Sequence, residues 1–561
     1  MAQISELLYD GYQHQLRGQY DEAARIYRKI LRADPGNVDV LVLLGLVRDS
    51  QFRYEEAIEH FDKAIRLKPG SPQAHYNRGV ALTKLRRYPE AVPAFARAVA
   101  LRPELPEALG EYALATRKIC DWSRHAWIDE QLTAMVRSGR TPVNPQTMLQ
   151  FSDDPADLLA CARGFIKHTL GRNPVRRRML RPARSAGEKI RLAYLSADFR
   201  EHVVAFHIAP LIENHDRSRF EVIGISIGPD DKSAMRYRLE AGFDQIIDCF
   251  AANDEVAATS ILAAGIDVLV DLMGFTIHNR LDLLARGLAP IQVDFVGYPG
   301  TIGADFIDYV LADRFVLPDD AQAFYTEQIV RLPDCYQPND AESGGDSALS
   351  RAQCGLPDTG FVFCSFNQNL KITPHLFDVW MRLLQRVPES VLWLVSDSPE
   401  AERNLQREAD ARRVDPARLV FAHRVSRAEY LARLACADLF LDTFPWNAHG
   451  TASNALWAGL PIVTYAGRSL QTRVAGSLLR TIGLPELVTN SLEEYEALAF
   501  SLATEPKRLA DVKRRLARNR DTAPLFDLAR YTRHLEAAYE EMIAISRRGE
   551  KPRPIAVKPI R

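Results

Sequence analysis

The residues with the most chemistry to offer fall in three short segments. The densest is Asp442–Gly459, DTFPWNAHGTASNALWAG. It reads as a strand end at Asp442, a loop with Pro445, Asn447 and Gly450, and a helix entered near Thr451. Thr451 and Ser453 then sit in a first helical turn, where backbone N–H groups lack partners and the helix dipole is positive. That is an anion site suited to a phosphate. The plainer reading is N-capping, which Gly-Thr at a helix start often does and no more. His449, just ahead of the helix, can donate to a phosphate oxygen or simply cap the loop. A second segment, SFNQNLK (365–371), follows the apolar run FVFCSF and precedes a helix opened by Thr373-Pro374. It sends Gln368 and Lys371 out of the carboxyl end of a sheet. A lysine there can neutralise a departing diphosphate without a metal, or be only a solvated loop cation. The third segment is DFREHVVAFH (198–207). His202 in its loop can accept or orient a proton near neutral pH. His207, at the start of the apolar helix, reads as a structural or capping residue.

These segments need strands and helices to hold them. After residue 188 short apolar runs alternate with helical stretches, the pattern of a parallel α/β protein. The first half predicts strands at 190–196, 220–227 and 267–273, with two more near 292–297 and 307–313. The second half predicts strands at 361–366, 391–396, 419–423, 438–442 and 461–466. Each half has the size of one Rossmann-like domain, and such sheets bind ligands outside the carboxyl ends of their strands. Between the halves, 337–350 (QPNDAESGGDSALS) is polar and reads as a linker. Residues 172–191 hold eight basic residues, one acid and two prolines, and read as an exposed linker.

The first hundred residues repeat. Pro35, Pro69 and Pro103 are spaced by 34, as are Gly11, Gly45 and Gly79, then Tyr20, Tyr54 and Tyr88. Ala23, Ala57 and Ala91 keep the register, as do Tyr27, Phe61 and Phe95. That period with these residue types is the tetratricopeptide pattern, one antiparallel helix pair per unit. Gly and Ala let the two helices approach, an aromatic fills the remaining gap, and Pro ends the second helix. A concave face of such a stack holds a protein or peptide. Asn77 is a candidate there, the alternative being an ordinary solvated helix residue. Residues 104–170 also read as helical and would cap the stack.

Composition narrows the classes. The 561 residues carry 71 Lys+Arg against 72 Asp+Glu, a net charge of −1, which rules out a basic protein that coats nucleic acid. Hydrophobic residues at 47% support several cores. The seven cysteines form no C-x-x-C pair, which suits reduced thiols in the cytoplasm. The start MAQISELLYD lacks a basic stretch before an apolar run, so no secretory signal is read there. No apolar stretch reaches the ~20 residues that span a bilayer, so no membrane partner is expected. No Asp-x-Asp pair occurs, which lowers the expectation of a carboxylate-held Mg²⁺ or Mn²⁺.

Taken together, these motifs resemble the protein O-GlcNAc transferase family over nearly the whole chain. The resemblance runs through the repeats, Ile119-Cys120-Asp121-Trp122, Asp198-Phe199 with His202, Ala289-Pro290-Ile291-Gln292, and Gly297-Tyr298-Pro299-Gly300-Thr301. It continues through Phe366-Asn367-Gln368 with Lys371, Arg386-Val387-Pro388, Ser390-Val391-Leu392-Trp393-Leu394 and Leu441-Asp442-Thr443. It ends with Asn447, His449, Thr451 and Leu456-Trp457-Ala458-Gly459. The family implies a helical tetratricopeptide superhelix followed by an α/β GT-B glycosyltransferase with two Rossmann-like domains. Its members invert the anomeric carbon, use no metal or other cofactor, and move N-acetylglucosamine from UDP-GlcNAc to Ser or Thr hydroxyls of proteins. By matched position Lys371 would hold the diphosphate and Gln368 would contact it or the sugar. His449, Gly450 and Thr451 would line the phosphates, the Val425 backbone and Arg427 would flank the uracil, and His202 would sit on the acceptor side. The general base is not settled, with Asp271 a lesser candidate.

Four departures stand out, the first being three clear repeats, far fewer than in animal members. Asn454 replaces an acid that grips the ribose, and Arg427 and Tyr430 replace a lysine and a histidine near the base. The linker between the halves is short where animal members carry an inserted domain. Two other readings follow: a related transferase using GDP-fucose or UDP-glucose, and a catalytically weak tetratricopeptide scaffold. The expected organisation is repeats at 1–118 (three clear, one partial), a helical cap and linker at 119–188, and an N-terminal lobe at 189–336. A linker at 337–350, a C-terminal nucleotide-sugar lobe at 351–548 and a flexible tail at 549–561 complete it.

Overall fold

The computed structural model describes residues 2–139, 143–171, 188–341 and 349–560. Most of the basic linker and the centre of the 337–350 linker lie outside them. The chain forms two compact units, residues 1–143 with 398–405, and residues 144–397 with 406–561. Among the described residues no helix is long and apolar enough to cross a membrane.

The first unit pairs Ala2–Leu16 with Tyr20–Ala33, Val38–Ser50 with Tyr54–Leu67, and Pro72–Lys84 with Tyr88–Leu101. The repeated glycines do what their spacing predicts. A Cβ on Gly45 would lie 2.5 Å from the Phe61 ring, and one on Gly79 would lie 2.5 Å from the Phe95 ring. Side chains there would force the helices apart. Asn37 and Ser71 start the third and fifth helices by accepting the Val40 and Ala74 backbone N–H groups. Asn77 is buried, not solvated, and its amide oxygen accepts from Gln73 Nε2 at 3.1 Å. The expected cap divides. Helix His125–Ser138 stays with the repeats, whereas Pro155–Thr169 belongs to the second unit. There Gly303, at φ +69°, packs against the backbone of Ala162 and Arg163.

The second unit holds two parallel sheets. The first uses β1 (Ile190–Ser196), β2 (Phe220–Ser226), β3 (Gln245–Asp248), β4 (Val268–Asp271), β5 (Ile291–Asp294), β6 (Tyr309–Asp313) and β7 (Gln328–Leu332). The second uses β8 (Val362–Ser365), β9 (Val391–Val395), β10 (Leu419–Ala422), β11 (Leu439–Leu441), β12 (Ile462–Tyr465) and β13 (Val488–Thr489). A last strand, β14 (Ile555–Ala556), returns to the first sheet. The strand orders are β14-β7-β6-β5-β4-β1-β2-β3 and β10-β9-β8-β11-β12-β13. Both contain the doubly wound order, which reverses between β1 and β4 in one sheet and between β8 and β11 in the other.

The chain's end corrects the expected boundaries. Residues 549–561 were expected as a flexible tail and 351–548 as wholly second lobe. Instead helix Leu528–Arg547 packs into the first sheet's core through Leu535, Tyr539 and Met542, and β14 pairs with β7. Polar contacts fix that crossing. Tyr531 Oη donates to the Tyr336 carbonyl at 2.6 Å, and Arg530 pairs with Asp334 at 2.7 Å. Buried His215 Nδ1 lies 3.0 Å from Glu536 Oε1 while Tyr194 Oη meets its Nε2 at 2.8 Å. Apolar side chains of the last helix thus complete a core begun more than three hundred residues earlier.

Candidate active site

In a doubly wound sheet the loops leave a crevice where the strand order reverses. Here the segments after β1, β4, β8 and β11 bound the two crevices and hold the residues singled out above, except Val425 and Arg427, which follow β10. Asp442, just after β11, organises the second crevice. Its Oδ1 accepts from Thr443 N at 2.8 Å, Ala448 N at 2.7 Å and Asn367 Nδ2 at 3.2 Å, and its Oδ2 accepts from Thr464 Oγ1 at 2.7 Å. One carboxylate therefore ties the loops after β8 and β11 to β12. Its pKa is nonetheless pushed up to about 6 because burial outweighs those donors and the cation at Lys371.

Lys371 ends the short 3₁₀ turn Asn369–Lys371. Its Nζ donates to the Asn447 carbonyl at 2.8 Å and lies 4.9 Å from the centre of the Trp446 ring. Burial lowers its pKa to about 8 against the opposing pull of Asp442. The ammonium is thus charged but short of water, which is where an anion gains most from it. His449 precedes helix Gly450–Trp457 and does not cap it through its side chain. Burial first, and Lys371 second, hold its pKa well below the ordinary histidine value. Gly450 and Thr451 begin that helix, so Lys371, His449, Gly450 and Thr451 share one corner of the crevice. Gln368, exposed, leads into the turn that carries Lys371.

The remaining candidates surround this corner unevenly. Val425 is 45% exposed ahead of helix Arg427–Leu434, whose start is closed by a reciprocal cap between Ser426 and Glu429. The Arg427 guanidinium stacks 4.1 Å above Phe206 of the first lobe. Asn454 bonds the Tyr430 hydroxyl, and Tyr430 lies against Phe366 with ring centres 6.1 Å apart. His202 is the N-cap of helix Val203–Asn214, its Nδ1 accepting from Val204 N at 3.3 Å. A neutral ring in that pose carries its hydrogen on Nε2. Burial and Arg200 lower its pKa while Asp198 opposes them. Asp271 holds the turn after β4, accepting from Met273 N at 3.1 Å and Gly274 N at 2.9 Å. The Gly-Tyr-Pro-Gly-Thr motif is a packing device. A Cβ on Gly297 would meet the Leu272 carbonyl at 1.7 Å, and Thr301 Oγ1 donates to buried Glu327 at 2.6 Å.

The sequence profile described as Glycosyl transferase family 41 matches residues 169–343 and 346–535. The chain belongs to that family, the O-GlcNAc transferases. A tetratricopeptide repeat profile matches residues 17–72 and 50–106. The chain is 32% identical over 459 residues to the Arabidopsis thaliana protein SEC, a probable UDP-N-acetylglucosamine–peptide N-acetylglucosaminyltransferase, covering 78% of this chain and 47% of SEC. It is 27% identical to the Caenorhabditis elegans UDP-N-acetylglucosamine–peptide N-acetylglucosaminyltransferase, over 64% of this chain and 41% of that one. The chain thus spans less than half the length of these curated relatives. Among solved structures, a Lys-to-Met mutant of the Thermobaculum terrenum O-GlcNAc transferase superposes with a TM-score of 0.71 at 28% identity, over 98% of each chain.

Three residues of this corner have no role in the sequence reading, although Asp442 and Asn447 stand among its motifs. Trp446 faces Lys371, Asn447 presents its carbonyl to it, and Asp442 binds four groups from three separate segments. From sequence Asp442 is a strand end and a motif residue, and two of its donors, Thr464 and Asn367, lie 22 and 75 residues away.

Proposed function

We propose that this chain is an inverting glycosyltransferase that moves N-acetylglucosamine from UDP-GlcNAc to Ser or Thr hydroxyls of proteins. The acceptor oxygen bonds to the anomeric carbon as the bond from that carbon to the β-phosphate oxygen breaks. The hydroxyl proton leaves to a base, and UDP departs. The observation that carries the reading is the corner formed by Lys371 and the start of helix Gly450–Trp457. A lysine short of water beside unpaired helix N–H groups meets the charge that develops on the leaving diphosphate. That supplies electrostatically what a divalent cation supplies elsewhere, so the reaction is read as metal-independent. Gln368 and Thr451 complete the contacts to diphosphate and sugar, Val425 and Arg427 flank the base, and His202 faces the acceptor. The repeats take the acceptor polypeptide. A cytoplasmic setting belongs to the same reading and is supported by seven cysteines without a disulfide.

One observation favours a second reading. Asn454 is neutral and engaged with Tyr430, so the ribose grip differs and another nucleotide sugar could be the donor. Calorimetry with UDP, UDP-GlcNAc, UDP-glucose and GDP-fucose separates the two. A transfer assay on lysate with labelled UDP-GlcNAc, comparing wild type with Lys371→Ala, tests the first. Tight binding of GDP-fucose with none of UDP would overturn it.

A further inference from the structure

His207 is a chemistry-bearing residue that the donor reading leaves unused. It does not start its helix. The helix begins at Val203, which carries His207 one turn inward, toward the second lobe. Its Nδ1 lies 3.0 Å from the carbonyl oxygen of Pro338. A carbonyl only accepts, so Nδ1 carries a hydrogen and the ring orientation is fixed. The other nitrogen faces Gly450, where an added Cβ would come within 2.5 Å of Nε2. Among the described residues Nε2 has no hydrogen-bond partner. One imidazole from the first lobe therefore touches the interlobe segment with one nitrogen and the start of the phosphate-corner helix with the other.

Arg427 from helix Arg427–Leu434 acts on it electrostatically and His449, ahead of helix Gly450–Trp457, is coupled to it, with Lys371 beyond His449 and the carboxylates Glu201 and Asp442 one step further, facing Arg427 and Lys371. Burial and Arg427 together hold its pKa at about 4 despite the Pro338 bond, so the free protein presents a neutral ring with a lone pair on Nε2. An arriving diphosphate reverses the local sign. With Nδ1–H already seated on Pro338, protonating Nε2 needs no ring flip.

We propose that His207 is the first lobe's ligand to the donor diphosphate, with Nε2 taking a proton from solvent on binding and donating it to a phosphate oxygen at Gly450. The inference rests on the donor reading above. It makes donor binding a contact between lobes, and it ties affinity to pH. A group whose pKa rises on binding strengthens binding as pH falls, by up to about tenfold per unit between the bound and free values.

The test is calorimetry on the full chain with UDP-GlcNAc, whose bridged phosphates have no second ionisation near neutrality. Titrations at pH 6.5 in two buffers of different ionisation heat count the protons taken up. At that pH Lys371 is already protonated and contributes none. The wild-type protein should take up most of one proton more than His207→Gln, which keeps an amide hydrogen for Pro338, and any uptake by His449 or Asp442 cancels in that difference. The variant should bind about tenfold more weakly at pH 6.5, with the gap closing by pH 8.5. A purely structural role would weaken binding equally at both values. No uptake by the wild-type protein overturns the inference without any variant, as does uptake that is unchanged in His207→Gln. The donor reading fails separately, if neither UDP nor UDP-GlcNAc binds or if Lys371→Met leaves binding unchanged.

Discussion

Replacing Lys371 with Met should remove activity and stabilise the fold, and the structure sets both magnitudes. Desolvation lowers the lysine pKa from 10.5 to about 8. At about 1.4 kcal/mol per unit, the charged lysine is a burden of about 3 kcal/mol at neutral pH. The sign follows from linkage. The unfolded chain holds this proton more tightly, so stability rises with pH between about 8 and 10.5, and that gain is absent at pH 7. Methionine fills similar space with no charge to desolvate. The lysine's shift already contains its attraction to Asp442, but the Asn447 carbonyl loses its donor, which returns about 1 kcal/mol. The net gain is about 2 kcal/mol, or about 2–4 °C in melting temperature. Loss of one preorganised charge aimed at the leaving group costs roughly 10²–10³ in turnover. Scanning fluorimetry at pH 7 and single-turnover transfer of labelled sugar measure the two. A variant that melts lower than wild type refutes the desolvation account. Turnover within a few-fold of wild type refutes the assignment of Lys371 to the leaving diphosphate.

Three further outcomes are expected. Since kcat/KM reports free enzyme, it should fall about tenfold per unit above pH 8 as Lys371 loses its proton, and Lys371→Arg should abolish that limb while lowering the rate. Gly79→Ala places a methyl 2.5 Å from the buried Phe95 ring, so the repeat unit should lose about 1–3 kcal/mol in urea titrations followed by circular dichroism. Truncation after Arg548 removes β14, the buried Ile555 and the bond from Ile560 N to His534 Nε2 at 2.8 Å, which should cost the second unit about 2–3 kcal/mol by the same measurement.

Most strands that could be read from sequence are buried on both faces, the edge strand β10 being an exception whose LVFA run is apolar throughout. β1 has the predicted bounds, and β4, β8, β9 and β11 fall inside predicted runs, because central parallel strands are continuous apolar stretches. The missed strands β3, β13 and β14 are edges, two to four residues long and partly exposed. β7, QIVRL, pairs with β6 and β14 but mixes polar residues into its run. The tail's docking was illegible because Ile555 pairs with Val330, a partner far back in the chain. His207 was misread for a local reason. Its helix starts where His202 caps it, and a shift of one turn changes which lobe a side chain meets.

The order of the motifs along the chain follows from the topology. Each doubly wound sheet reverses direction once, after its third strand, so the first and fourth strands of each lobe end side by side. That is why the segments at 198–207 and 365–371 each follow the first strand of a lobe, and why those at 271–274 and 442–451 follow the fourth. Four loops separated by some seventy residues within each lobe converge without any local signal that they should. The Asn367–Asp442 bond closes one crevice from within, and two contacts, His207 on Gly450 and Arg427 on Phe206, join it to the opposite lobe. On the first lobe's side both of these contacts are made by one helix, Val203–Asn214. Any force on the start of helix Gly450–Trp457 is therefore felt by the helix His202 caps, and under the proposed function that packing is the route by which donor binding would reach the acceptor side.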